Sequence, residues 1–428
     1  MVDNMSILAG INKIEITPNI PMPMAGYALR VGKSEGILDP LYARILTLNS
    51  NLEDPIVIIS LDLIRVDNEL YQEIVAKISD NIGINKDNII VTATHTHSGP
   101  EISIHFWNSI ELGPEDVKLI REYRESLIKS ILRAMENIEV KEVEGVLAGK
   151  VPIHGIASNR IHKEGPIDTE CTFLASKNCF LVINYSCHPT VLPATNKKFS
   201  GDLAGMISSM LENSLNFNVA LYLNGAAGNV STRFTRRSQS YEEVKRLATL
   251  FYSQFTKGLS ITTKLKEDII IDWKTIKLKA RRIKKEELDE LEEKEKEIYG
   301  KLKRLKAEKR SSPKIRILES NYLGLRILKK RINKLKRIRK IKIKIAKLVI
   351  GNKLLAVFIP GEPFVEYQLE IKRNSPYEYT MVIGYSNGYF GYFPYPGTQL
   401  DTYEVYNSII DPSEYTKFRE EILNFIFE

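Results

Sequence analysis

Histidine, cysteine and tryptophan are scarce in this chain, at six, three and two of 428 residues. The three cysteines, Cys171, Cys179 and Cys187, cannot all pair with one another and form no CxxC pair. That excludes a disulfide framework and a cysteine metal knuckle, and the three are read as buried free thiols. No run of about eighteen apolar residues occurs, so no segment reads as a membrane-spanning helix. The opening stretch MVDNMSILAGINKIEITPNI lacks a basic start followed by an apolar core, so the expected location is the cytoplasm. Internal repeats, low-complexity linkers and a GxxxxGK[ST] nucleotide loop are also missing. What remains is a chain with 43% hydrophobic residues, enough to bury a large core.

The formal charge of +8 is unevenly spread. Residues 281–347 hold 26 of the 61 Lys+Arg and 10 of the 53 Asp+Glu, a local net of +16 against −8 for the remainder. Within this stretch Leu291, Ile298, Leu302 and Leu305, and then Leu325, Leu328, Ile332 and Leu335, recur at helical spacing on either side of Arg310-Ser311-Ser312-Pro313. The pattern predicts an antiparallel helical hairpin over 281–340. Glu290/Lys294, Glu292/Lys296 and Glu297/Lys301 would add about 0.2–0.5 kcal/mol each. A solvated arm that joins copies of the chain or covers an active site is the expected role. The rival reading is a noncatalytic scaffold that grips nucleic acid or an anionic membrane through the hairpin.

Elsewhere strands and helices alternate. Buried strands are predicted at 56–63, 88–96, 179–187, 220–224, 354–359 and 379–385, and helices at 69–81 and 114–138. Turn-rich motifs follow the strands: THSGP, SCHPT, NGAAGNVST, PGEP and SNGYFGY. The expected fold is α/β, a mixed sheet with flanking helices, in one large catalytic domain spanning 1–428 with the hairpin inserted.

Three of the six histidines, His95, His97 and His188, end predicted strands beside small residues. In an extended strand, residues i and i+2 share a face, so His95 and His97 are expected to point the same way, about 7 Å apart. Two imidazoles plus a third at another strand end suit a metal site, which a carboxylate would complete. Glu362 in PGEP is placed for that, although such a turn alone is ordinary turn chemistry. Ser231, closing NGAAGNVS, reads equally as a helix cap or a catalytic serine. Tyr385, Tyr389, Tyr392, Tyr395 and Tyr403 crowd a Gly- and Pro-rich stretch, as an aromatic loop or interface does. A buried tyrosine can also donate to an oxyanion or ligate a metal.

THTHSGP (94–100), Asn159-Arg160, SCHPT (186–190), NGAAGNVS (224–231), PGEPF (360–364) and SNGYFGYF (386–393), in this order, resemble the catalytic domain of the neutral/alkaline non-lysosomal ceramidase family. The closer likeness is to short homologues without the C-terminal immunoglobulin-like domain. The resemblance implies a zinc-dependent amidase, with one Zn2+ per chain, that cleaves the N-acyl bond of a lipid such as ceramide into a fatty acid and a sphingoid base. By position it implies His95, His188, Glu362 and Tyr392 as zinc ligands. It places His97, Arg160 and Tyr403 at the scissile amide, and Ser231 as nucleophile or neighbour of the attacking water. The alternative within enzymes is a metal-dependent hydrolase of a small non-lipid amide, ester or carbohydrate-like substrate. The expected partner is a small-molecule or lipid amide rather than nucleic acid, with a homo-oligomer formed through the hairpin.

Overall fold

Three mixed sheets, each with one parallel pair of strands, organise the chain. The computed structural model describes residues 7–50, 54–107, 111–266, 268–307 and 313–427. The first sheet runs Ile89–Ala93, Ile56–Leu61, Tyr42–Asn49, Leu8–Glu15, Val140–Glu142, with its first two strands parallel. The second runs Val219–Asn224, Phe180–Tyr185, Glu170–Ser176, Leu147–Pro152, Thr262–Lys264, again with the first two parallel. In the third, Ile269–Lys279, Lys340–Ile350, Leu354–Phe358 and Tyr379–Ile383 follow one another, and the last two are parallel.

The strands are continuous apolar runs because both of their faces are buried. On one face Ile58, Ile90, Val182, Leu221, Ala356 and Met381 join a core shared by all three sheets. The alternate residues face helices. Val57, Ile59 and Val91 meet α1 (Asn68–Ile82) and α2 (Pro114–Glu136). Leu181, Ile183 and Tyr222 meet α3 (Asp202–Leu215) and α4 (Tyr241–Gly258). Ile343, Leu355 and Val357 meet α5 (Lys285–Ala307), α6 (Pro313–Leu335), α7 (Val365–Asn374), α8 (Tyr403–Tyr406) and α9 (Tyr415–Phe427). Local chemistry sets helix ends: the Asp67 side chain accepts from Leu70 N to open α1, and Gly83, at φ 87°, closes it.

The predicted mixed α/β fold is the fold observed. Several elements had not been read from the sequence, among them the strands Leu8–Glu15, Tyr42–Asn49, Leu147–Pro152 and Glu170–Ser176 and the helices α3, α4, α7 and α9. In the basic segment α5 and α6 lie antiparallel, with Lys329 paired to Glu292 and Glu295 and the Tyr299 and Tyr322 rings 5.7 Å apart. The serines of the connection, Ser311 and Ser312, lie outside the described residues. Leu291, Ile298, Leu302, Leu325, Leu328, Ile332 and Leu335 are buried, six of them in the core of the third sheet, and Leu305 is half-buried against it. Of the three anticipated i,i+4 pairs, Glu297/Lys301 forms at 2.5 Å, whereas Lys294 reaches Asp401 and Glu292 reaches Lys329.

One buried ion cluster ties the first sheet to α3. Arg44, 1% exposed, bonds Asp62 at 3.0 Å and Glu212 at 2.7 Å. Removing only the Arg44 cation leaves buried Asp62 without its ion-pair partner and Glu212 with the half-buried Lys13 alone, at 2.6 Å. Arg44→Leu is therefore expected to cost about 3–5 kcal/mol in urea denaturation, and a loss below about 1 kcal/mol would contradict this reading.

Candidate metal centre and active site

The carboxyl ends of the three parallel pairs converge, and the loops that leave them carry the site. Strand Ile89–Ala93 stops before the histidines. Thr94 Oγ1 donates to Asp62 Oδ1 and Thr96 Oγ1 to Ser200 O, and between them His95 adopts φ 70°. The expected extended geometry is thus corrected: a left-handed residue turns the chain, so His95 and His97 approach to 3.2 Å between their Nε2 atoms. His188 follows strand Phe180–Tyr185, and its main-chain N donates to Val230 O. Glu362 sits opposite Tyr392 in a two-residue parallel bridge. Gly361, at φ 153°, makes that bridge possible, since a Cβ there would collide with Gly391 O.

The tautomers follow from the acceptors. His95 Nδ1 lies 2.5 Å from Ile64 O and His188 Nδ1 lies 2.8 Å from Ala227 O. A carbonyl only accepts, so both Nδ1 atoms carry the proton and both Nε2 atoms present lone pairs. Those two Nε2 atoms face each other at 2.8 Å. Burial, then neighbouring charge, holds the imidazoles neutral: His95 and His188 titrate well below the ordinary 6.5, and His97 at about 3. Glu362 Oε1 accepts from Tyr389 OH, while Oε2 is buried without a hydrogen bond, 3.5 Å from His95 Nε2 and 3.4 Å from His188 Nε2. Burial raises the Glu362 carboxyl to about 7. Donor atoms of His95, His97 and His188 all lie within 4.8 Å of one another, an arrangement that can hold a metal ion.

The other residues singled out in the sequence line the adjoining cavity of about 170 Å³: His97, Arg160, Ser231, Tyr392 and Tyr403. Arg160 Nη2 donates to Tyr392 OH at 2.9 Å and its Nε lies 2.8 Å from Glu404 Oε1. Ser231 Oγ accepts from Arg233 N, and among the described residues no histidine nitrogen bonds it. The Tyr403 ring stands edge-on to Tyr392 at 5.9 Å. Sequence reasoning missed the roles of Tyr385, Tyr389 and Glu404. Tyr385, at φ 55°, stacks on His95 with centroids 4.1 Å apart. The α6 residues Ser320, Leu323, Ile327 and Arg331, which wall the cavities, were also missed as site residues.

A mixed α/β protein with a buried histidine–carboxylate cluster at the meeting point of its strand ends belongs to the class of folds that can build a metal-dependent hydrolase site. Residues 7–237 match the family described as neutral/alkaline non-lysosomal ceramidase, N-terminal. The chain belongs to that family, whose enzymes hydrolyse amide bonds. No curated protein matches it. Among solved structures it is similar to neutral ceramidase from Pseudomonas aeruginosa, with a TM-score of 0.74 and 16% identity over 99% of this chain and 74% of that one. A ceramidase complexed with C2 gives a TM-score of 0.73 and 15% identity over 99% and 75% of the two chains. At such identities the likeness concerns the fold.

The neutral imidazoles make stability depend on pH. Unfolded histidines take up protons near pH 6.5, which His188 in the fold does not. The metal-free fold therefore loses stability as pH falls through 6.5, each such histidine steepening the slope by about 1 kcal/mol per pH unit. His188→Gln is expected to make the slope shallower by about that amount between pH 6.5 and 5, read by urea denaturation. An unchanged slope would mean that His188 is protonated in the fold.

Proposed function

We propose that the protein hydrolyses a linear, N-acyl type amide with one zinc ion per chain, held by His95, His188, Glu362 and Tyr392. The observation that carries this reading is the pair of Nε2 lone pairs 2.8 Å apart beside the unbonded Glu362 Oε2. Nitrogen and carboxylate donors in that number suit zinc. When bound, zinc polarises a carbonyl and lowers the pKa of water to about 7.

The chain's own residues position and stabilise the reacting groups. His97 borders both the histidine-side pocket and the Ser231-side cavity, which supports a hydrogen bond from it to the scissile amide. Arg160, fixed by Glu404 and Tyr392, offers a buried positive charge to the oxyanion that develops as water adds to the acyl carbon. Burial holds the Tyr403 phenol up at about 12, so it keeps its proton and serves as a donor on the same wall. The C–N bond then breaks, a proton goes to the amine nitrogen, and a carboxylate and an amine are released. Among the described residues no base is hydrogen-bonded to Ser231 Oγ, which supports water rather than serine as nucleophile. The cavity of about 170 Å³ is below the roughly 300–1,000 Å³ usual for drug-sized ligands and favours a small amide over a long acyl chain.

Metal analysis of the purified chain is expected to give about one zinc per chain, with amide hydrolysis lost to a chelator and restored by zinc. Less than half an equivalent together with chelator-resistant activity would end the reading. Ser231→Ala is expected to lower kcat by no more than about 10³-fold, as for one lost oxyanion donor. A loss near 10⁶-fold, the scale of nucleophile removal, would instead assign the serine as nucleophile.

A further inference from the structure

The wall of the cavity beyond Ser231 is cationic in a way that the chemistry of a neutral amide does not use. Arg233 and Arg236 follow Ser231 in a turn closed by Arg236 N donating to Thr232 O at 2.9 Å. Both line the cavity with His97 and Ser231. Arg233 Nη1 donates to Arg160 O and Nη2 to Ser320 Oγ; Arg236 Nη1 donates to Thr190 O at 2.8 Å and more distantly to Thr232 Oγ1. These are all neutral acceptors. Among the described residues neither guanidinium has a carboxylate within ion-pair distance. The one carboxylate on the cavity wall, Glu404, is already paired with Arg160. Arg316 lies close enough to both for their charges to interact, and its Nε is buried without a hydrogen-bond partner. Glu404 acts on Arg233 and Asp202 on Arg236 only from beyond ion-pair distance, so these half-buried like charges raise the free energy of the empty cavity, and an anion entering it lowers that free energy. Planar guanidinium forks match the oxygens of a carboxylate or a phosphate.

We propose that the substrate carries an anionic group, a carboxylate or a phosphate, beyond its scissile amide, and that Arg233 and Arg236 bind this group. The inference rests on the amide-hydrolase reading and narrows its substrate class to small N-acyl amides of acidic molecules. Hydrolysis remains a simple addition of water: the C–N bond breaks, the amine takes the proton, and the anionic group stays on its fragment and on the arginines until release. The arginines touch neither the acyl carbon nor the nitrogen; they set affinity and orientation.

The test pairs kinetics with binding. The zinc-loaded protein is given N-acetyl amino acids, N-acetyl amine phosphates, and the neutral methyl esters or alcohols matched to each. The anionic member of a pair is expected to have the higher kcat/KM. Arg236→Gln is expected to reduce that preference about 10- to 100-fold, mainly through KM, while Arg236→Lys restores part of it. Whether the carboxylates or the phosphates gain more tells which anion is read. Equal kcat/KM for anionic and neutral partners, or a variant that slows both alike, overturns the proposal and leaves the amide hydrolase standing. If no amide of either kind is cleaved, the amide-hydrolase reading fails, and titration with inorganic phosphate decides the anion site separately. Binding that weakens at least tenfold in both Arg236→Gln and Arg233→Gln supports it, and binding that is absent or indifferent to them refutes it.

Discussion

Two imidazole lone pairs that face each other across 2.8 Å are the constraint around which this structure is arranged. Each Nε2 is forced inward because the opposite nitrogen donates to a main-chain carbonyl, Ile64 O or Ala227 O. Such carbonyl anchors fix the tautomer and ring orientation of metal-ligating histidines. Protonation does not relieve the repulsion at neutral pH, since burial keeps both rings uncharged. Glu362 adds a third inward-facing donor, and Tyr389 holds only one of its two oxygens. Left empty, such a cluster costs free energy; a divalent cation would turn the same three-sided crowding into ligation. Strain in the main chain accompanies it, at His95 and Tyr385, both in the left-handed region and stacked on one another.

Holding that crowding in place requires the three sheets to be fixed at their shared ends, and asparagine does this. Asn224 ends a strand of the second sheet. Its Nδ2 donates to Thr94 O beside the first sheet, and its carbonyl accepts from Gly384 N beyond the third. Asn184 works one layer away: Nδ2 bridges Leu223 O and Val382 O, and Oδ1 accepts from Val382 N. Asn387 Oδ1 accepts from Val91 N, closing the third sheet onto the first. Short amides with both donor and acceptor suit junctions where ladder bonding ends and main-chain groups would be left unpaired.

The sequence made part of this legible for identifiable reasons. Ile56–Leu61, Phe180–Tyr185 and Leu354–Phe358 are buried on both faces, so they read as apolar runs. Leu8–Glu15 lies one strand in from the edge, with mixed burial and no clean period, and it was not read from the sequence. Helix α4 carries a legible signal in Ser240, which caps Glu243 N, but α3 begins at Asp202 with φ 50° and offers no ordinary start. Strand-end histidines were readable as a set, yet their geometry was not, because nothing in THTH marks His95 as left-handed. Glu404 and the pair Arg233/Arg236 look like common surface charges until the fold carries them to one cavity.

The basic hairpin shows how composition misleads when taken without the fold. Its apolar spacing reads as a helical hairpin and its high charge as a solvated arm, but the charge is spent partly on the acidic body: Lys294 meets Asp401, Lys330 meets Glu111, and Lys344 on the following strand meets Asp87. Exposed pairs of this kind contribute little individually, so the docking rests on the apolar seam and on close approach. Gly324 permits that approach, since a Cβ there would lie 3.1 Å from the Cα of Tyr403. Asn321 Oδ1 accepts from Tyr403 N at the same contact. α6 thereby presses on the segment that contributes Tyr403 and Glu404 to the cavity, and adds Ser320 and Leu323 to its wall. The placement of one basic helix thus bounds the cavity on the side where Arg233 is bonded to Ser320.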